Sequence, residues 1–303
     1  MHGGAGAILP EARTPEREAE LRAALEQALK SGHAVLASGG TSVEAVTKAV
    51  IVLEDSPLFN AGKGAVFTHE GKNELDAAIM VGRPRAAGAV AGLRTIKNPI
   101  LLARAVMERS PHVMLIGEGA EKFAEEVGVE RVDPSYFRTE ERWQQLQEQL
   151  AKERAQAAEG LRERGDYFGT VGAVALDRSG TLAAATSTGG MTNKRFGRVG
   201  DVPIIGAGTY ADEGCAVSAT GHGEFFIRHT VAHDICARTA YLRVPLARAA
   251  HQVVLEELVA VRGDGGVIAM DREGNVAMPY NSERMYRGSI GEDGVPHVAI
   301  HER

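Results

Sequence analysis

Apolar positions in the first third of the chain recur with the period of an amphipathic helix. Leu21, Leu25 and Leu29 share one face of a segment that opens at Thr14-Pro15, runs to about Ser31 and meets Gly32 as its stop. Thr41-Ser42-Val43-Glu44 has the form of a capping box ahead of a second stripe, Val46, Val50 and Leu53. The stretch Ser56-Pro57-Leu58-Phe59-Asn60-Ala61-Gly62 is too broken for a regular element. Strand-like runs follow at 64–68 and 73–80, joined by His69-Glu70-Gly71-Lys72, which predicts a hairpin. Asn98-Pro99 opens another helix, and 119–127 forms one more that ends at Gly128.

The pattern changes between 139 and 166. Glu, Gln, Arg and Lys dominate there, and Trp143, Leu146, Leu150 and Leu161 are the main apolar residues. The segment reads as an exposed helix fading into a mobile linker over about 139–169. A dense β region then begins abruptly at Gly169-Thr170-Val171-Gly172. Residues 174–182 and 267–276 echo each other, each an apolar strand, an Asp-Arg turn with glycine and a second strand. Helices at 224–240 and 246–260 separate the two hairpins. Consecutive apolar residues in the strands imply burial on both faces. The expected architecture is α+β, a single four-layer αββα sandwich over 1–303.

Composition narrows the partners. The 303 residues carry 34 Lys+Arg against 40 Asp+Glu, a formal net charge of −6, with 44% hydrophobic and 24% charged residues. That balance fits a soluble globular domain and gives no basic stripe for nucleic acid. No apolar run approaches the length of a membrane-spanning helix, so no membrane partner is expected. Cys215 and Cys236 are the only cysteines and no secretory segment follows Met1, which predicts reduced thiols in a cytoplasmic protein. Gly is abundant, 36 residues clustered at positions such as 3–4, 189–190 and 221–223, where backbone is expected to approach something closely.

Three motifs weaken on inspection. Gly206-Ala207-Gly208-Thr209-Tyr210-Ala211 matches a dinucleotide fingerprint in form, but a strand-like run at 215–219 follows instead of a helix, so a tight turn is expected. His229 and His233 stand one helical turn apart, yet Thr230 replaces the glutamate of a zinc peptidase, so no metal role is expected of them. His2-Gly3-Gly4 looks like a lipase oxyanion loop but lacks a nucleophile elbow, which leaves a close backbone crossing.

Thr170 is different. A threonine hydroxyl is a poor nucleophile unless a base takes its proton, and an N-terminal threonine carries such a base in its own α-amine. Scission between Gly169 and Thr170 would create that amine, and Gly169 tolerates the backbone strain needed for the hydroxyl to attack its carbonyl. A strand-starting threonine after a loop is the plain alternative. The hairpin predicted around 177–180 returns Thr188 to the neighbourhood of Thr170. Arg198 and Asp201 offer a forked cation and an anion suited to a zwitterionic amino-acid head, or else a surface ion pair. Thr220-Gly221 supplies a hydroxyl and a bare N–H as oxyanion donors.

Together, His2-Gly3-Gly4-Ala5-Gly6, Phe59-Asn60-Ala61-Gly62, Gly169-Thr170-Val171-Gly172, Thr186-Ser187-Thr188-Gly189-Gly190, Gly197-Arg198-Val199-Gly200-Asp201 and Thr220-Gly221-His222-Gly223-Glu224 resemble plant-type L-asparaginase/isoaspartyl peptidase. Those enzymes are N-terminal-nucleophile hydrolases, and the resemblance spans essentially the whole chain. It implies self-cleavage before Thr170 into an α chain, 1–169, and a β chain, 170–303, assembled as an (αβ)₂ homodimer. It implies Thr170 as nucleophile, Thr188 as its tuning hydroxyl, Thr220 and Gly221 as oxyanion hole, and Asn60 as support. Arg198, Asp201 and Gly223 would grip the α-carboxylate and α-ammonium of an L-aspartyl unit. No organic cofactor is implied, but a structural sodium ion is, on the main-chain carbonyls of Leu53, Glu54, Ser56, Phe59, Ala61 and Lys63.

Two departures stand out. Met1 abuts His2 where the family carries a longer first strand, which implies either a shortened strand or a misplaced start, and Val81 occupies a position where Asp is usual. Glycosylasparaginase is the nearest rival, but Phe168-Gly169 and Gly189 favour the peptidase branch. A non-maturing amino-acid-binding protein is the rival from another class.

Overall fold

A computed structural model describes residues 1–6, 14–159 and 169–301. In chain order the strands are β1 (His2–Gly6), β2 (Leu75–Val81), β3 (Ala87–Leu93), β4 (Met114–Ile116), β5 (Val171–Leu176) and β6 (Leu182–Thr188). They continue as β7 (Thr209–Ala211), β8 (Cys215–Gly221), β9 (Gly265–Asp271), β10 (Val276–Ala277), β11 (Arg284–Ile290) and β12 (Pro296–Ala299). Among the described residues they form an eight-stranded sheet, ordered β12-β11-β1-β5-β6-β2-β3-β4, and a four-stranded sheet, ordered β10-β9-β8-β7. The two sheets touch through β5 and β6 against β8, and through β1 against β8 and β9.

Helices α1 (Pro15–Ala37), α2 (Ser42–Glu54) and α3 (Pro99–Arg109) lie on the larger sheet, α2 against β5 and β6 and α3 against β2 and β3. The smaller sheet is covered by α6 (Gly223–His229), α7 (Val231–Leu242) and α8 (Leu246–His251), the last running on through a π turn, Gln252–Glu257. Alternation along β6 divides its side chains between two cores. Ala183 and Ala185 face the helices with Leu25, Val46 and Val50, whereas Ala184 joins Val217, Phe226 and Ile235.

Most local expectations are met. Thr41 and Glu44 close a full capping box on α2. The helix α4 (Gly117–Val127) ends at Gly128, whose φ of 73° is left-handed. The hairpin of β5 and β6 pairs Val171 with Ser187, and Asp177 secures its turn by accepting from the Ser179 and Thr181 amides. The 206–211 run forms a turn and β7 rather than a strand-to-helix nucleotide loop.

Five expectations need correction. Gly32 does not stop α1, which runs to Ala37; a Cβ on Gly32 would stand 3.1 Å from the Ala45 carbonyl, so the glycine serves the α1–α2 crossing. Residues 64–68 form no strand but follow a 3₁₀ turn, Gly62–Gly64, with isolated bridges from Phe67 to Asn73 and from Thr68 to Lys194. The helix expected at 224–240 breaks at Thr230, whose left-handed φ of 46° separates His229 from His233. The segment expected to be exposed after 139 is α5 (Glu140–Glu159), with Arg142, Gln145 and Leu146 buried; 160–168, the rest of the expected linker, lies outside the described residues. Arg142 explains the docking, since its guanidinium donates to the Gly64 carbonyl at 2.9 Å.

The fifth correction concerns the cysteines. Cys215 on β8 and Cys236 on α7 are bonded as a disulfide, because the helix packs on the strand with their Cα atoms 5.4 Å apart. Among the described residues no helix is long and apolar enough to cross a membrane.

β1 pairs with β5 at His2 and Gly172, and among the described residues Val174, Ala175 and Leu176 have no strand partner on that edge. β11 likewise extends past β1, and Gly288 exchanges hydrogen bonds with Met1. Between these edges lies a cavity of about 980 Å³, walled by Leu29, Leu36 and Val46 on one side and Ile268 and Met270 on the other. The Met1 ammonium is buried at its mouth, and burial pushes its pKa down to about 5.

One stability outcome follows. Cys236→Ala is expected to lower Tm by roughly 5–10 °C, the effect of losing a bridge worth about 2–4 kcal/mol. Two free thiols in alkylation of the unreduced wild type would contradict it.

Candidate active site

Thr170 lies at the start of β5, under the crossing of β1, and is 8% exposed. The crossing is made of bare backbone. A Cβ on Gly4, whose φ is +114°, would stand 2.5 Å from Gly169 Cα, and one on Gly169 would stand 2.6 Å from Gly4 Cα. This contact by itself requires glycine at 169.

Three threonines converge here from three strands. Thr170 Oγ1 donates to Thr188 Oγ1 at 3.1 Å, and the Thr170 amide donates to Thr220 Oγ1 at 3.2 Å. Thr188 Oγ1 also accepts from the Gly190 amide at 2.9 Å, and Thr220 Oγ1 from the Ala5 amide at 3.1 Å. A hydroxyl has two acceptor positions and one proton. Thr188 and Thr220 both use their acceptors on these donors, which leaves each proton as the remaining capacity. Asn60 braces the Thr188 turn, donating to the Gly190 carbonyl at 2.7 Å and accepting from the Val66 amide at 3.0 Å.

The end of β8 carries the chain from Thr220 through Gly221 to Gly223 at the start of α6. Gly221, at φ +154°, faces the Asp264 carbonyl and Gly265 so closely that any side chain would collide. A Cβ on Gly223 would stand 2.8 Å from both Arg198 Nη2 and Asp201 Oδ1, so these three residues form one cluster. Within it Arg198 does not pair with Asp201, the surface alternative the sequence left open. Its fork grips Glu224 instead, at 3.0 and 2.9 Å, and His222 Nε2 stands 3.2 Å from the same carboxylate. Burial opposes the Glu224 charge, but His222 and Arg198 outweigh it and hold the carboxyl well below its usual range.

Asp201 is the unsatisfied member. It is buried, its Oδ2 has no hydrogen-bond partner among the described residues, and burial pushes its pKa up to about 7 against the pull of Arg198. Two buried charges stand behind it. Lys194 donates to the Glu74 carbonyl at 3.0 Å, and Asp76, paired across the sheet with Thr188, keeps a second partnerless oxygen, Oδ2. Sequence reading missed Asp76, Lys194 and the link to Glu224; only the tight register of β2 on β6 could have signalled Asp76.

The loop expected to hold sodium is compact. Its Gly62 backbone leaves no room for a Cβ beside the Glu54 carbonyl, nor does Gly64 beside that of Phe59. The Leu53 and Ala61 carbonyls accept from Ser56 and Gly64 amides, and the Phe59 carbonyl from Ala61. The Glu54 carboxyl is buried beneath, with Oε1 accepting from Ser187 at 2.6 Å and Oε2 without a partner among the described residues. Neutral carbonyls beside a buried carboxyl suit a hard monovalent cation. No group of three or more His, Cys, Asp or Glu that could hold a metal occurs among the described residues.

Comparison with known proteins gives the class of protein to which this chain belongs. Residues 1–300 match the family described as Asparaginase, and the chain belongs to that family of hydrolases. It is 52% identical to an isoaspartyl peptidase of Salmonella typhimurium, over 95% of this chain and 93% of the relative. It is 43% identical to a plant-type L-asparaginase of Pyrococcus abyssi, over 94% of this chain and 93% of that one. An isoaspartyl peptidase/L-asparaginase of Mus musculus is also 43% identical, over 94% of this chain and 85% of its own.

The Asp201 environment makes a pH prediction. The folded chain favours a protonated carboxyl at Asp201, with a pKa moved from 3.8 to about 7. The unfolded chain releases that proton earlier, so this group's contribution to stability is present at low pH and lost as pH rises to about 7. Asp201→Asn is expected to flatten the loss, with the gap from wild type moving by about 1–3 kcal/mol between acid and neutral pH. Chemical denaturation at stepped pH measures it, and a constant gap would sink the assignment.

Proposed function

We propose that this chain is a self-processed threonine hydrolase that cleaves the β-aspartyl bond of isoaspartyl dipeptides and the side-chain amide of L-asparagine. The observation that carries the reading is the convergence of Thr170, Thr188 and Thr220 at one buried point, with bare glycine backbone at the bond to be cut. The Thr170 hydroxyl attacks the Gly169 carbonyl, the acyl group shifts from nitrogen to oxygen, and water hydrolyses the ester. The products are an α chain, 1–169, and a β chain, 170–303, whose new α-amine is the base.

In turnover the Thr170 Oγ attacks the substrate's β-carbonyl while its α-amine takes the proton. That proton passes to the leaving amine, ammonia or an amino acid, and water hydrolyses the β-aspartyl ester. Thr220, whose hydroxyl proton is uncommitted, and the Gly221 N–H act as oxyanion donors, each worth about 10²–10³ in rate. Arg198 takes the substrate α-carboxylate, displacing Glu224. Asp201, with Gly223 beside it, takes the α-ammonium; the partnerless Oδ2 supports that role. Thr188 holds the nucleophile's hydroxyl, and Asn60 braces the turn that carries Thr188.

The reading includes the four-layer αββα order, supported by sheets in mutual contact and helices on each. It also includes sodium on the carbonyls of Leu53, Glu54, Ser56, Phe59, Ala61 and Lys63, which would stiffen the loop under Asn60. Assembly as an (αβ)₂ dimer is carried by the resemblance alone. The disulfide weighs against cytoplasmic residence, although both its sulfurs are shielded by complete burial.

Purified wild type is expected to separate into two fragments at Thr170 on denaturing mass analysis and to hydrolyse β-aspartyl-leucine and L-asparagine. Thr170→Ala is expected to stay whole and to lose at least about 10³-fold in kcat/KM. A wild type that stays uncut, or an active Thr170→Ala protein, would overturn the reading.

A further inference from the structure

His2 has no part in the chemistry above, yet it is wholly buried against Thr170. Its Nδ1 lies 2.9 Å from the Thr170 carbonyl oxygen and its Nε2 2.9 Å from Ser218 Oγ. A carbonyl oxygen only accepts, so Nδ1 carries the proton and Nε2 presents a lone pair. Ser218 must then donate to Nε2, which makes its oxygen the acceptor for Thr186 at 2.7 Å. Thr186 in turn accepts from Thr209, 2.7 Å away, whose single proton is shared with the Val202 carbonyl at 3.0 Å.

One tautomer thus dictates the direction of every proton along a buried row. The row starts at the backbone of Thr170 and ends beside Asp201, the neighbour of Val202. Its members come from β1, β8, β6 and β7, so it crosses between the two sheets. Space for it is built in at Gly172, where a Cβ would stand 2.0 Å from Ser218 Oγ and 2.5 Å from His2 Nε2.

We propose that His2 is a positioning residue for Thr170, which it holds as the Nδ1–H tautomer and ties, through Ser218, Thr186 and Thr209, to the loop that carries Asp201. The proposal rests on the reading of Thr170 as nucleophile. Holding the carbonyl fixes the rotation of Thr170 about its backbone, and so the direction of both its hydroxyl and its α-amine. Burial supports a ring that stays neutral, pushing the His2 pKa down to about 3, with the Met1 ammonium adding to the effect. A cationic ring would donate from both nitrogens and force the hydroxyl row to reverse.

Nitrogen-15 NMR of histidine-labelled Thr170→Ala protein tests the tautomer without any need for turnover. The His2 signals, identified by their loss in His2→Asn, are expected to show a protonated Nδ1 and bare Nε2, unchanged from about pH 5 to 9. A proton on Nε2, or titration in that range, overturns the proposal. Kinetics of the mature enzyme test the coupling. His2→Leu and Ser218→Ala are each expected to lower kcat about tenfold with KM little changed, and the double variant to be no worse than the poorer single. His2→Asn keeps a donor for the Thr170 carbonyl and should recover part of the loss. Additive losses, or an effect confined to KM, overturn the proposal. Activity surviving in Thr170→Ala would instead condemn the nucleophile reading, whatever the tautomer.

Discussion

Contact between the bare backbones of Gly4 and Gly169 sets how closely β1 can lie over the start of β5. Any side chain at either position would push the strands apart by more than an ångström. That movement would carry the Ala5 amide away from Thr220 and the His2 ring away from the Thr170 carbonyl. The hydrogen bonds around Thr170 therefore depend on a steric allowance rather than on their own strength. Each is worth only about 0.5–1.5 kcal/mol net, too little to pull packed sheets into place. Packing brings the groups together, and the bonds then choose one geometry among those that packing permits.

Polar groups between two apolar sheets are costly unless they satisfy one another. His2, Thr186, Thr209, Ser218 and Thr220 are all buried, and each has a partner at hydrogen-bonding distance. The row is consequently all or nothing: deletion of one hydroxyl leaves its neighbours with unmatched protons or lone pairs. Such a row resists rotation of any single member and gives a small core one well-defined arrangement. Asp76 and Asp201 break the rule with one partnerless oxygen each. Both flank the Thr188 and Arg198 region, where a charged ligand head would supply what the protein withholds.

How much of this was legible before any coordinates were known depends on the range of the interaction. Local signals were read well. The capping box at Thr41, the left-handed Gly128 and the return of Thr188 to Thr170 all follow from chemistry within a few residues. Gly32 misled because a glycine that ends a helix and one that admits a second helix look alike in sequence. α5 misled because Arg142 is charged but finds carbonyl partners in the 58–64 loop, a contact no periodicity reveals. The cysteines misled because composition and the lack of a secretory segment say nothing of distance. Arg198 and Asp201 were found by chemical type, whereas Glu224 as the resting partner of Arg198 depends on the turn of α6 after Gly223.

That resting pair bears on how a zwitterion would be recognised. With nothing bound, Arg198 is neutralised by Glu224, and Asp201 is buried enough to favour its proton. The cluster thus carries little exposed charge that solvent would have to screen. On the proposed reading, an arriving α-carboxylate would exchange with Glu224 on the same fork, so that one ion pair replaces another and the half-exposed Glu224 returns to water. An arriving ammonium gives Asp201 a counter-charge and favours its ionised form, which strengthens binding in a site of low dielectric. A ligand with only one of the two charges gains only half of this. A lone carboxylate must displace Glu224 while leaving Asp201 unpaired, and a lone amine leaves the Arg198 pair intact but unused. On the proposed reading, selection for an amino-acid head would arise from the unequal satisfaction of two neighbouring carboxylates, one already paired and one not.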